Sequence, residues 1–329
     1  MFMTIFFPAL LLGGIGMFFG YILAFAAKVF YIETDHKIDE ILAILPNVNC
    51  GACGFPGCSG YAEAIVEKGA DVSMCPPGGI EVSKKIAEIM GKTASEKEKT
   101  MAVIHCNSGG YSNTSIKYKY HGIQSCRAAI LLSGGPNLCN FGCVFQNDCI
   151  SACQFGAMYL DENGMRTIDH NKCRSCEACA KACPRGLVEL VPISKTLQIN
   201  CSSKDKGIIT KKICGSKKHC IGCGICAKNC PFKAIVFENN LAKIDYQKCQ
   251  NCGLCAVKCP TKVIIDTQKR GKAHIDPHTC IGCTICAKKC VVNCISGELK
   301  RMHTVDREKC IGCEICVEKC PKKAIVIEY

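Results

Sequence analysis

Cysteine recurs along this chain in tight groups, and the groups themselves recur: Cys143, Cys173, then Cys220, Cys249, Cys280 and Cys310 open them at a period near thirty residues. A fixed period of that size marks repeated supersecondary units, each too small to bury a serious core alone. Thirty-three cysteines in 329 residues leave three chemistries: disulfides, zinc and iron–sulfur. A disulfide scaffold suits a short secreted chain. This chain is long, its cysteine count is odd, and its first residues do not read as a cleavable secretion signal.

Spacing separates the other two. The comb C-x2-C-x2-C-x3-C-P appears at Cys173, Cys176, Cys179, Cys183, Pro184 and at Cys220, Cys223, Cys226, Cys230, Pro231. It returns at Cys249, Cys252, Cys255, Cys259, Pro260 and at Cys310, Cys313, Cys316, Cys320, Pro321. Cys280, Cys283, Cys286 and Cys290 keep the spacing but are followed by Val291. Zinc ribbons use two CxxC knuckles per metal, whereas three close cysteines with a distant fourth enclose a [4Fe–4S] cube. Paired combs exchange their fourth ligands. One site therefore takes Cys220, Cys223, Cys226 and Cys259, and its partner takes Cys230, Cys249, Cys252 and Cys255. The last pair uses Cys280, Cys283, Cys286 and Cys320, then Cys290, Cys310, Cys313 and Cys316.

The first pair departs from the pattern. Its leading group is Cys139-x3-Cys143-x5-Cys149-x3-Cys153, followed by Gln154. By the same exchange, Cys139, Cys143, Cys149 and Cys183 are expected at one site, and Cys153, Cys173, Cys176 and Cys179 at its neighbour. A seventh set, Cys50-x2-Cys53-x4-Cys58-x16-Cys75, is interleaved with Gly51, Gly54 and Gly57, which let backbone amides approach a metal centre. Alone it reads as zinc or iron–sulfur; beside six other clusters, iron–sulfur is favoured.

Cys106, Cys126, Cys201, Cys214 and Cys294 are left over. Cys294 is read as a buried free thiol. The strand-like runs Ala102–His105 and Leu197–Asn200 each lead into a cysteine, and a second cysteine follows each. If those strands pair, Cys106, Cys126, Cys201 and Cys214 form an extra metal site. The histidines show no paired ligand spacing and are expected in surface or capping roles. No nucleotide fingerprint or nucleophile–base pair is present.

No charged side chain occurs from Met1 to Ala27, and about 23 helical residues span about 34 Å, enough for a bilayer core. Lys28 and Lys37 follow the span, which places the soluble part on the cytoplasmic side. Gly13, Gly16, Gly20, Ala24 and Ala27 share one helix face, suited to another membrane helix or simply to lipid. The formal charge of +13 is offset by seven clusters at about −2 each. With no Trp and few aromatics, nucleic acid is not an expected partner.

An uncharged amino-terminal helix, then LPNVNCGACGFPGCSGYAEAI with CPPGG (Leu45–Ile65, Cys75–Gly79), then ferredoxin modules resembles the RnfB family, the B-subunits of the Rnf ion-translocating complexes, in the long polyferredoxin form. The resemblance implies an α+β chain: a transmembrane anchor (1–30), a small helical [4Fe–4S] domain (31–91), a linker and strand segment (92–138), and ferredoxin-like module 1 (139–192). A second strand and linker segment (193–219) then precedes modules 2 (220–267) and 3 (268–329). The cysteine sets give about seven [4Fe–4S] clusters, eight with the extra site, and the apolar span gives a single-pass protein of the cytoplasmic membrane. The expected partners are the other Rnf subunits, including a flavin- and NADH-binding one, and soluble ferredoxin as donor. The expected function is electron transfer within a ferredoxin:NAD+ oxidoreductase coupled to Na+ or H+ translocation. A non-pumping polyferredoxin serving a hydrogenase or quinone reductase is the alternative, and a structural zinc protein is a further one.

Overall fold

The computed structural model describes residues 2–29, 35–95, 98–108, 110 and 114–329. Met1 and Phe30, the expected ends of the anchor, Tyr31–Thr34 at the start of the next unit, and Glu96 and Lys97 of the linker lie outside the described residues. Helix α1 (Phe2–Val29) is continuous over 28 residues, about 42 Å at 1.5 Å per residue. Its stretch from Leu11 to Val29 is apolar enough to cross a membrane, and none of it is buried.

Three helices form the next unit: α2 (His36–Ile44), α3 (Gly57–Glu67) and α4 (Gly79–Met90). The Asp35 side chain caps α2 by accepting from the Lys37 amide, and Gly91 ends α4 in the left-handed region. Ile38, Ile41, Tyr61, Ile65 and Ile86 interlock at the centre. The Tyr61 hydroxyl donates to the Asp71 carbonyl at 2.8 Å and accepts from the Met74 amide at 3.1 Å. Those two bonds fix the loop that presents Cys75.

The remainder repeats one topology three times. In the first repeat β1 (Thr100–Ile104) pairs antiparallel with β4 (Val188–Pro192) around the inner hairpin β2 (Met158–Leu160) and β3 (Arg166–Ile168). In the second, β5 (Leu197–Ile199) pairs with β8 (Ile264–Asp266) around β6 (Ile235–Glu238) and β7 (Leu241–Ile244). In the third, β9 (Lys272–Ile275) pairs with β12 (Ile325–Glu328) around β10 (Ile295–Ser296) and β11 (Thr304–Val305). The strands preceding modules 1 and 2 thus do not pair with each other, so the condition the sequence set for the extra site is not met. Each is claimed by the last strand of the module that follows it.

Cysteines make up much of each small core. Cys249, Cys255 and Cys259 pack with Leu197, Ile199 and Ile264, and Cys286, Cys310 and Cys316 with Ile275 and Ile325. Cores of this size leave stability to whatever the cysteines hold.

Candidate metal centres

Each regular comb is curled by two left-handed residues, at the second and fourth positions after its first cysteine. They are Ser175 and Glu177, Gly222 and Gly224, Asn251 and Gly253, Gly282 and Thr284, and Gly312 and Glu314, all with φ between 53° and 77°. Only the Gly222 and Gly224 pair is all glycine, and a left-handed non-glycine residue carries strain of order 1 kcal/mol or more. The curl turns successive amides inward, making a nest for a negatively charged group. The third cysteine then enters a short helix, such as Leu254–Lys258 or Ile315–Lys319.

After each fourth cysteine the chain closes a turn in which the amide three residues on donates back to the cysteine carbonyl. This holds for Cys183, Cys230, Cys259 and Cys320, and equally for Cys153 and Cys290, where Gln154 and Val291 stand in place of proline. The loop shape therefore does not depend on the proline ring.

Crossed sets converge in space. Cys220, Cys223, Cys226 and Cys259 line one cavity of about 380 Å³, and Cys230, Cys249, Cys252 and Cys255 another of about 320 Å³. Cys280, Cys283, Cys286 and Cys320 ring about 340 Å³, and Cys153, Cys173, Cys176 and Cys179 about 360 Å³. Cys316 has Cys313, Cys310 and Cys290 as electrostatic neighbours, and Cys75 has Cys53, Cys58 and Cys50. Among the described residues no three His, Cys, Asp or Glu side chains close on one point as a single ion requires. Zinc would need sulfurs about 2.3 Å from one centre. Sulfurs ringing an open cavity instead fit a cube that offers each thiolate its own iron.

Burial makes these sulfurs reluctant to ionise without a counter-charge. It pushes Cys75, Cys149 and Cys226 up to about 11, and Cys143, Cys179, Cys201, Cys255 and Cys316 up to about 12. Cys259 is the exception. Burial pushes it up too, but hydrogen bonds from the Thr261 hydroxyl and from the amides of Val263, Ile264 and Thr261 together bring it below the usual thiol range. Iron binding must displace protons from the eight thiols that burial pushes up to about 11 or 12.

The first module is assembled differently from the spacing expectation. Phe145 (φ 66°) and Asn147 (φ 68°) are its two left-handed residues. Counting back, Cys143 is the first position of the comb, Cys149 the third and Cys153 the fourth. Gln146 occupies the second. Cys126, at the start of helix α5 (Cys126–Leu131), fills that vacancy: its sulfur accepts from the Gln146 amide and lies near Cys149 and Cys183. The Cys126 amide in turn donates to the Asp148 carboxylate at 2.9 Å.

Cys139 faces the other way. It lines a cavity of about 440 Å³ with Cys106, Cys201 and Cys214, which Cys143 also touches. So Cys126 is absent from the expected extra set and Cys139 from the expected cluster set; the two exchange places. The one trace of this in the sequence is that Cys143 and Cys149 are six apart like Cys220 and Cys226, which marks the comb but not the residue that fills its second position. Of the histidines, His219 and His303 are buried rather than exposed; the ring of His219 bonds the Ser216 carbonyl at 2.7 Å, at the wall of that same cavity. Cys294 is buried, its sulfur 3.4 Å from that of Cys290.

The sites follow one another in space. Cys50 neighbours Cys176, Cys106 neighbours both Cys143 and Cys201, and the Cys220 amide donates to the Cys201 sulfur. Cys226 neighbours Cys255, Cys252 neighbours Cys313, and Cys316 neighbours Cys286.

Residues 45–77 match the FeS family of Fe-S cluster segments, and residues 166–189 match the 4Fe-4S binding domain family. Residues 219–263 and 273–327 match two 4Fe-4S dicluster domain families. The B-subunit of the ion-translocating oxidoreductase complex of Methanosarcina acetivorans is 41% identical over 72% of this chain and 89% of its own. The B-subunit of the Na(+)-translocating ferredoxin:NAD(+) oxidoreductase complex of Acetobacterium woodii is 41% identical over 73% of this chain and 72% of its own. The chain belongs to this family, RnfB. The corresponding polypeptide of the proton-translocating complex of Clostridium ljungdahlii is 39% identical over 70% of this chain and 81% of its own. As a member of the RnfB family, the chain carries several 4Fe-4S clusters and works within a multi-subunit complex, and its apolar α1 is in keeping with membrane anchoring.

Proposed function

We propose that this RnfB-family chain relays single electrons from reduced ferredoxin towards the membrane and a flavin- and NADH-binding subunit, within a ferredoxin:NAD+ oxidoreductase that drives Na+ or H+ across the cytoplasmic membrane. Bound [4Fe–4S] clusters supply reversible one-electron storage; the polypeptide supplies their order and spacing. The single observation that carries the reading is the succession of cysteine-lined sites from Cys50 to Cys286, in which Cys179 and Cys149 share one core and so join the two sites of module 1. A structural metal protein has no need of such a succession.

The two ends differ. The Cys50 set belongs to the unit that follows α1 and is the exit on the membrane side. The Cys280 set is at the far end of the sequence, its cavity edged by Lys322 and the exposed Ile281, and it receives the donor. Lys28 and Lys37 after the span support a cytoplasmic position for the soluble part.

The test is anaerobic purification of the complex through a tag on this chain, followed by ferredoxin-dependent NAD+ reduction in vesicles with and without Na+. Co-purification of a flavin subunit and ferredoxin-driven NADH formation are expected. Co-purification with a hydrogenase alone, and no NADH, would defeat the reading.

A further inference from the structure

Between modules 1 and 2 the succession passes through a cavity that none of the regular combs accounts for. Cys106 follows β1, Cys201 follows β5, Cys214 ends the helix Gly207–Ile213, and Cys139 precedes the first comb of module 1. The ring of His105 holds the two strand ends together, with Nδ1 2.8 Å from the Ile199 carbonyl and Nε2 2.8 Å from the Glu189 carboxylate. The Ser202 hydroxyl adds a bond to the His105 carbonyl at 2.9 Å. Cys106 and Cys201 are thereby held as neighbours in the wall of the cavity.

The loop that carries Cys139 is fixed by Arg185, whose guanidinium donates to the carbonyls of Gly134, Cys139 and Gly142. Gly142 lies between two of the sulfurs: a Cβ there would be in contact with both, 3.4 Å from Cys139 Sγ and 3.6 Å from Cys106 Sγ. The cavity, about 440 Å³, is as large as those of the regular combs, at about 320 to 380 Å³. The Cys143 amide donates to Cys106 Sγ at 3.4 Å, the kind of amide–sulfur bond that Ala234 makes to Cys230 and Ala324 to Cys320, at 3.4 and 3.3 Å.

We propose that Cys106, Cys139, Cys201 and Cys214 ligate an eighth [4Fe–4S] cluster joining modules 1 and 2, and that Cys126, in the slot opposite Gln146, completes the neighbouring cluster with Cys143, Cys149 and Cys183. The ligand arithmetic then closes, because eight sets of four use every cysteine except Cys294. The inference rests on the several-cluster reading of the chain, though its test does not depend on any partner protein.

The experiment is iron, sulfide and zinc analysis of the anaerobically purified full-length chain, alone and with paired substitutions. The unsubstituted chain should hold about 32 irons rather than about 28. Cys214→Ala and Cys139→Ala should each lose about four, and the double variant no more than either, since both remove the same cluster. Cys126→Ala with Cys214→Ala should lose about eight. About 28 irons in the unsubstituted chain, with or without one zinc, would overturn the proposal while leaving the relay standing. Additive losses in Cys139→Ala/Cys214→Ala together with non-additive losses in Cys126→Ala/Cys214→Ala would overturn the ligand partition. An iron-free preparation would remove both readings. The unsubstituted count decides the eighth cluster even if a variant fails to fold.

Discussion

The guanidinium of Arg270 donates to the carbonyl of Asn251 at 2.6 Å, one residue from Cys252. Its other terminal nitrogen reaches the Gly312 carbonyl at 3.0 Å, one residue from Cys313. One side chain thus clamps the facing combs of modules 2 and 3. Its Nε pairs with Asp266 at 2.5 Å, and both partners are largely buried.

Replacing Arg270 by leucine leaves the Asp266 carboxylate buried without its cation. Removal of one partner from such a pair costs about 3 kcal/mol or more. Thermal bleaching of the visible cluster absorption should therefore occur at clearly lower temperature, and magnetic coupling between neighbouring reduced clusters should weaken in EPR. Arg270→Lys should fall between, because an ammonium can face Asp266 but cannot span two carbonyls. An unshifted bleaching curve for the leucine variant would refute the clamp.

Thr261 offers a subtler handle. Its hydroxyl lies 3.6 Å from Cys259 Sγ, and it is among the bonds that hold that thiol below its usual range. Such bonds stabilise the more negative, reduced state of a cluster. Thr261→Val should lower the reduction potential of the Cys220–Cys259 centre without loss of iron. A redox titration followed by EPR reads this directly, and an unchanged potential counts against a bond to the ligand sulfur.

Much of this was legible in the residues. The apolar spacing and proline stops of the sequence mark helices at His36–Leu45, Cys58–Lys68 and Gly79–Met90, and α2, α3 and α4 are found within a residue of those bounds. The runs Ala234–Glu238, Leu241–Asp245, Val263–Asp266 and Ala324–Glu328 read as strands in the same way, and β6, β7, β8 and β12 occupy them. Two things were not. Strand partners could not be read locally, because β1 and β5 are alike in pattern, and their pairing is decided by which module closes around each. The Cys126–Cys139 exchange was hidden because counting cysteines ignores a comb position held by Gln146. Backbone curl at Phe145 and Asn147 restores the count.

Arg185 is a half-buried cation with Cys139, Cys143, Cys106 and Cys183 around it. Burial lowers its pKa, and the four sulfurs oppose that effect. Arg185→Gln keeps a donor but removes the charge. The adjacent centres should then become harder to reduce. An electrostatic change of about 1.4 kcal/mol corresponds to about 59 mV for one electron, and a shift of that order towards negative potential is expected. Titration of the variant against a graded series of mediators checks it. A shift confined to centres of module 3, or none, would show that the guanidinium only holds the Gly134–Gly142 loop.

Lys288, Lys289, Lys322 and Lys323 are exposed around the most distal comb pair, and Lys322 edges the cavity of Cys280, Cys283, Cys286 and Cys320. A cluster site whose rim is basic and whose Ile281 is exposed suits an acidic carrier that must dock briefly and leave. Attraction of this kind raises the rate of encounter more than the affinity, and salt screens it over about 8 to 10 Å. Changing all four lysines to glutamate should therefore slow electron uptake from ferredoxin by about tenfold or more at low ionic strength. The difference should shrink as salt rises, because in the unsubstituted chain uptake itself slows. Iron content and reduction by dithionite should stay unchanged, since none of the four side chains is a ligand. Stopped-flow reduction by ferredoxin across a salt series separates the outcomes. Equal rates in both chains at low salt would move the donor's docking place away from module 3.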